Sequence, residues 1–188
     1  MTLVLTEVSI LGVAMAADSA VTVPPSGRVY IGAQKLLPVY GIDAGLSIWG
    51  EGVIGDNPAD EWLQDFITSD VVSGVALWDM ADRLAEKVNQ AFGSVIPRRM
   101  GIHVGGFDEK DGIRGPAFYH VHNGHYHVEL KHGEIVEVPD EDPPIRKFRA
   151  HEDHPPTISV GEEWDYRMTR NGDFDFRLPI RTNESPVR

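Results

Sequence analysis

Gly12-Val13-Ala14-Met15-Ala16-Ala17-Asp18-Ser19-Ala20-Val21-Thr22 is the stretch on which the fold turns. It begins small and apolar and meets its first charge at Asp18. A short run of this kind, bounded by glycine, reads as a strand. Before it, Thr2 to Ser9 is a second β-rich run, separated from the first by the Leu11-Gly12 break. After it, Val23-Pro24-Pro25-Ser26-Gly27 has turn chemistry. Arg28 to Ile31 and Lys35 to Tyr40 read as further short strands, and Gly45 to Trp49 as an apolar strand running into Gly50-Glu51-Gly52. Glycine at such a strand end lets the backbone approach a ligand or a second strand closely.

Two helices are expected next. Asn57 suits an N-cap, Pro58 the first helical position, and Asp60 and Glu61 the positive helix end. Trp62, Leu63, Phe66 and Ile67 form the apolar face. A second helix is expected from about Ser73 to Phe92, with Leu77, Trp78, Ala81, Leu84, Ala85, Val88 and Phe92 at helical spacing and Gly93 as its stop. The pattern then returns to strands: Met100 to Phe107, Ala117 to Val121, Tyr126 to Leu130 and Glu134 to Val138. Asn123-Gly124 predicts a hairpin between the middle two. Strands, two helices and strands again define an α+β layered domain. From Pro139 prolines and charges dominate and no helical period returns; Trp164 to Leu178 alternates weakly, with a turn expected at Asn171-Gly172. Residues 1–138 therefore form the main region, and 139–188 a divergent Pro- and charge-rich extension of the same domain.

Composition narrows the function. The chain has 188 residues, 41% of them apolar, enough for one domain with its own core. A formal charge of −12 disfavours nucleic-acid binding, because the chain repels the polyanion it would have to neutralise. With no cysteine, disulfides, thiolate metal sites and cysteine nucleophiles are excluded. No apolar run has the ~18 residues of a membrane span. Ala14-Met15-Ala16 looks like a signal cleavage site, but Glu7 interrupts the apolar stretch and no basic residue precedes Arg28. A cytoplasmic protein that binds no membrane is the expectation.

Thr2 becomes interesting once Met1 is trimmed. A free α-amine titrates near ~8, far below a lysine side chain. It can serve as general base for the hydroxyl of its own residue, so one threonine is both nucleophile and base. Such a site needs a cation, a carboxylate to orient it, and backbone N–H groups for the oxyanion. Asp18, Lys35 and Gly50 are the candidates. Each alone has an ordinary reading: a strand-end cap, a surface lysine, a turn residue.

Their order and spacing change that weighing. Thr2-Leu3-Val4, Gly12 to Thr22, Gly32-Ala33-Gln34-Lys35-Leu36-Leu37-Pro38-Val39 and Gly45 to Gly50 together resemble the proteasome β-subunit and HslV peptidase family. Gly101-Ile102-His103-Val104-Gly105-Gly106-Phe107-Asp108 and Gly115-Pro116-Ala117-Phe118-Tyr119-His120-Val121 extend the resemblance to about residue 130. It implies an αββα sandwich of antiparallel sheets, the N-terminal-nucleophile (Ntn) hydrolase fold. Here the second helical layer is missing or incomplete, since no amphipathic helix follows Val138. It further implies a threonine-type amide or peptide hydrolase acting through an acyl-enzyme. Thr2 would be nucleophile, Lys35 would lower its pKa, Asp18 would orient Lys35 and the amine, and Gly50 N–H would hold the oxyanion. The implied partners are a peptide or unfolded protein substrate and further copies of the chain, in a homo-oligomer that can be a ring. No cofactor is implied.

A second cluster competes. His120, His122, His125 and His127 flank Asn123-Gly124. In a two-residue hairpin all four imidazoles share one face, opposite Tyr119, Val121, Tyr126 and Val128. They are candidate zinc, nickel or copper ligands. The preferred reading is a solvent-facing polar ribbon, because structural zinc wants convergent rather than coplanar ligands. His103 and His132 read as ordinary strand-flank residues. A non-catalytic proteasome-like scaffold and a metal-binding protein are thus the alternatives to the hydrolase.

Overall fold

The structure, a computed structural model, describes residues 3–9, 11–23, 28–71, 73–94, 100–110, 112–123, 126–131, 134–139, 148–154 and 166–172. Among these the chain is α+β, with antiparallel sheets and two α-helices. Five strands form the larger sheet: β5 (Leu36–Val39), β6 (Ala44–Trp49), β9 (Gly101–Lys110), β10 (Ile113–His122) and β13 (Arg149–His154), in the order β13-β10-β9-β6-β5. A three-stranded sheet has the order β14-β1-β2, from β14 (Tyr166–Gly172), β1 (Leu3–Ser9) and β2 (Gly12–Ala17). Three short ribbons pair β3 (Ala20–Val23) with β4 (Arg28–Ile31), β7 (Val53–Ile54) with β8 (Asn57–Pro58), and β11 (Tyr126–Lys131) with β12 (Glu134–Pro139).

The side-chain alternation of the larger sheet sorts its residues onto two faces. Leu46, Ile48, Ile102, Val104, Ala117, Tyr119 and Val121 share one buried apolar cluster with helices α1 (Ala59–Asp70) and α2 (Leu77–Phe92). The opposite face meets β1 and β2. There Gly105 and Gly45 leave room for β2: a Cβ on Gly105 would stand 2.8 Å from Val13 Cγ1 and 3.1 Å from Met15 Sδ. This inter-sheet layer is unusually polar. Thr6, Ser47, His103 and His120 are all buried, and Trp49 and His120 lie across from one another.

Several expectations are corrected. Asn57 is not the cap of α1; it pairs with Ile54 in β8, and Pro58, φ −52° and ψ 136°, holds the cap position without a side-chain bond. The second helix starts at Leu77 rather than near Ser73. Among the described residues β10 does not pair with β11, as a hairpin at Asn123-Gly124 would require. Asn123 instead prolongs the β9–β10 ladder, its Oδ1 accepting from Met100 N at 2.9 Å and its own N–H donating to Met100 O at 3.3 Å. β11 pairs with β12 instead. Nor is the segment after Pro139 merely irregular. β13 pairs with β10, and β14 with β1, so that the extension enters both sheets; Asn171 and Gly172 stand opposite Val4 and Leu3 rather than in a turn.

Candidate active site

Strand direction brings Asp18, Lys35 and Gly50 to the ends of two strand pairs. β1 begins at Leu3 and its partner β2 ends at Ala17. β5 begins just after Lys35, and its antiparallel partner β6 ends just before Gly50. Asp18 closes the first pair. Its N–H donates to Leu3 O at 3.0 Å, and its Oδ1 accepts from Leu3 N at 3.1 Å. Both peptide groups of Leu3 are thus tied to one residue.

Lys35 is delivered by the segment from Gly32, whose φ of 119° an L side chain rarely adopts. Gly32 N and Ala33 N both donate to Ser19 O, at 3.1 and 3.2 Å. Lys35 O then accepts from Ile48 N at 3.1 Å, which carries the β5–β6 ladder one step further. The Lys35 side chain is only 7% exposed, and Nζ donates to Asp18 Oδ1 at 2.8 Å and to Ala20 O. A buried ammonium needs such partners, since desolvation without them costs several kcal/mol. Asp18 Oδ1 serves Leu3 N and Lys35 Nζ together, so Nζ lies within about 6 Å of the Leu3 nitrogen. Gly50 is exposed, with φ 91°. It stands two residues beyond Ile48, about 7 Å along the strand from the level of Lys35. Thr2 lies outside the described residues; its carbonyl carbon is the atom to which Leu3 N is bonded.

Of the four hairpin histidines, the structure describes the side chains of two. His120 and His122 lie on β10, with ring centroids 4.4 Å apart. His127 lies on β11, whose partner is β12 rather than β10, and His125 is outside the described residues. Among the described residues no group of three or more His, Asp or Glu is arranged to hold a metal ion. The expected solvent face is also corrected. His120 is 8% exposed and His122 half-buried, because this side of β10 faces the inter-sheet layer. His103, expected as a strand-flank residue, is fully enclosed on β9. Thr6 Oγ1 stands 2.7 Å from its Nδ1, and its ring meets those of Phe118 and His120 at 4.9 Å each. Burial first, and the His122 charge second, lower its pKa from 6.5 to about 3, so the ring is neutral. The sequence signal was present: His103, His120 and His122 share the strand parity of Gly101, Gly105 and Phe118.

No family model and no curated protein matches the chain. Among solved structures it is similar to the Anbu (Gly-1) mutant from Hyphomicrobium sp. strain MC1, at 15% identity and a TM-score of 0.46 over 82% of this chain and 61% of that one. It is likewise similar to Anbu (ancestral beta-subunit) from Yersinia bercovieri, at 14% identity and a TM-score of 0.46 over 81% of this chain and 60% of that one. The chain thus spans about three fifths of the structures it matches. The expectation of a proteasome β-subunit or HslV peptidase is corrected: these neighbours are Anbu proteins, one of them described as an ancestral beta-subunit. Short strand motifs report the strand–helix–strand order of a fold and do not by themselves separate its families.

Proposed function

We propose that the chain is an N-terminal-nucleophile amide or peptide hydrolase whose nucleophile is Thr2, exposed by removal of Met1. The observation that carries this reading is the buried Lys35 ammonium, held by the same Asp18 oxygen that holds Leu3 N. A carboxylate-oriented cation beside the chain start is what a terminal-amine catalyst requires. The cation disfavours protonation of the neighbouring amine, leaving it a base near neutral pH.

In this mechanism the Thr2 amine takes the hydroxyl proton as Oγ attacks the substrate carbonyl. Gly50 N–H stabilises the tetrahedral oxyanion. Collapse breaks the amide C–N bond, the amine product leaves with the proton, and an ester to Thr2 remains. Water, deprotonated by the same amine, hydrolyses that ester and restores the hydroxyl. Lys35 and Asp18 set the local field and hold the geometry throughout. The finer fold reading, an Ntn-type sandwich with an incomplete second helical layer and the 139–188 extension as part of one domain, belongs to the same proposal. So do a peptide or unfolded substrate and a self-associated, ring-capable state.

The test is labelling by a β-lactone probe, with intact mass read in parallel. The mature chain is expected to lack Met1 and to gain one probe mass on Thr2, and Thr2→Ala to gain none. A mature protein that keeps Met1, or a Thr2→Ala chain labelled as fast as the parent, would overturn the reading.

A further inference from the structure

We infer that His120 is a positioning residue for Gly50, acting through Trp49; this rests on the hydrolase reading above, in which Gly50 N–H meets the oxyanion. Trp49 is the last paired residue of β6, opposite Gly101 of β9, and Gly50 leaves the strand directly after it. Gly50 is exposed, and its φ of 91° is one that glycine adopts freely, so its own residue does little to restrain the backbone there. The handle available is the neighbouring indole, which is 6% exposed. Its Nε1–H donates to His120 Nε2 at 3.1 Å, and the two rings meet at 5.8 Å and 51°. The bond requires Nε2 to be unprotonated, which places the ring proton of a neutral His120 on Nδ1.

The meeting of these two rings is built into the sheet. A Cβ on Gly101 would stand 2.8 Å from both His120 Nε2 and Trp49 Cε2. The missing side chain at Gly101 is therefore the space in which indole and imidazole touch. His120 is in turn packed by His103 at 4.9 Å and by His122 at 4.4 Å. The Trp49–His120 hydrogen bond joins the polar inter-sheet layer to the active end, and holding the indole restrains the Trp49 backbone from which the Gly50 N–H follows. An oxyanion donor displaced by a fraction of an ångström loses much of its value.

The experiment uses the full chain in four forms: parent, His120→Gln, His120→Leu and Trp49→Phe. Gln keeps an acceptor at the reach of Nε2; Leu and Phe remove acceptor and donor. Saturation kinetics of β-lactone labelling at Thr2 separate the maximal rate from the half-saturating concentration. Leu and Phe are expected to lower the maximal rate about tenfold with half-saturation nearly unchanged, and Gln to retain the parent rate. The Leu–Phe double variant should lose no more than either alone. Two-dimensional amide spectra of the same proteins read the Trp49 indole and the Gly50 N–H without any reaction. A Gly50 signal that stays put while the indole signal moves, or His120→Gln as slow as His120→Leu, overturns the inference. A parent that never labels, in which Gly50 still follows His120, overturns the hydrolase reading and leaves the linkage standing.

Discussion

Ser47 Oγ is enclosed between the sheets with no hydrogen-bond partner among the described residues. A buried hydroxyl without a partner costs about 1–3 kcal/mol of desolvation, so Ser47→Ala is expected to raise stability by roughly 1 kcal/mol, read as a higher urea midpoint. His103 gives a signed dependence on pH. Its folded pKa of about 3 lies below the unfolded 6.5, so between those values the unfolded chain binds a proton that the native one refuses. Its contribution is complete above pH 6.5 and is lost on acidification, by up to about 1.4 kcal/mol per pH unit. Denaturation midpoints from pH 7 to 4 should follow that slope, and His103→Asn should flatten it. At the candidate site, Asp18→Asn leaves a 7% exposed lysine without its carboxylate. The expected cost is about 1–3 kcal/mol, below that of a fully buried broken pair because Asp18 is itself partly in water, together with loss of Thr2 labelling.

At the scale of the element, the late start of α2 has a cause that no local pattern reveals. Ala76 offers no side-chain cap. Leu77 N and Trp78 N donate instead to Asp108 Oδ1 and Oδ2, at 3.3 and 2.9 Å, across from β9. The same carboxylate accepts from Tyr119 OH at 2.6 Å and from Glu109 N at 2.9 Å. Asp108→Ala removes four acceptor contacts at once and is expected to destabilise the chain by about 2–4 kcal/mol, measured by chemical denaturation. Helix faces were legible in the sequence because their period is local: Leu63, Phe66, Leu84 and Val88 fall where the apolar stripe put them. Pairing partners were not legible, since a strand announces its alternation but not its neighbour. Asn123-Gly124 has hairpin chemistry, yet the Asn123 amide is taken by Met100, more than twenty residues away. The Lys35–Asp18 pairing was implied by the family resemblance and not by either residue alone; the burial of His103 and the Trp49–His120 bond needed the stacking of two sheets.

At the scale of the whole molecule, among the described residues the helices pack on one face of the five-stranded sheet and β1 and β2 against the other. None of the helices among the described residues is long and apolar enough to cross a membrane. Self-association, the part of the proposal that concerns more than one chain, is expected to appear in sedimentation velocity as species above the monomer mass at tens of micromolar; a monomer throughout would remove the ring. The placement of β13 and β14 has one more consequence, in the order in which the chain leaves the ribosome. β1 is synthesised well before β14, yet they are neighbours. β10 waits in the same way for β13. Until those last segments emerge, each sheet exposes a raw edge to whatever nascent chain is nearby. A stop codon or a proteolytic nick before Arg149 should therefore yield aggregate rather than a smaller soluble domain, and the protein's yield in a cell should depend on how fast β13 and β14 follow the strands they pair with.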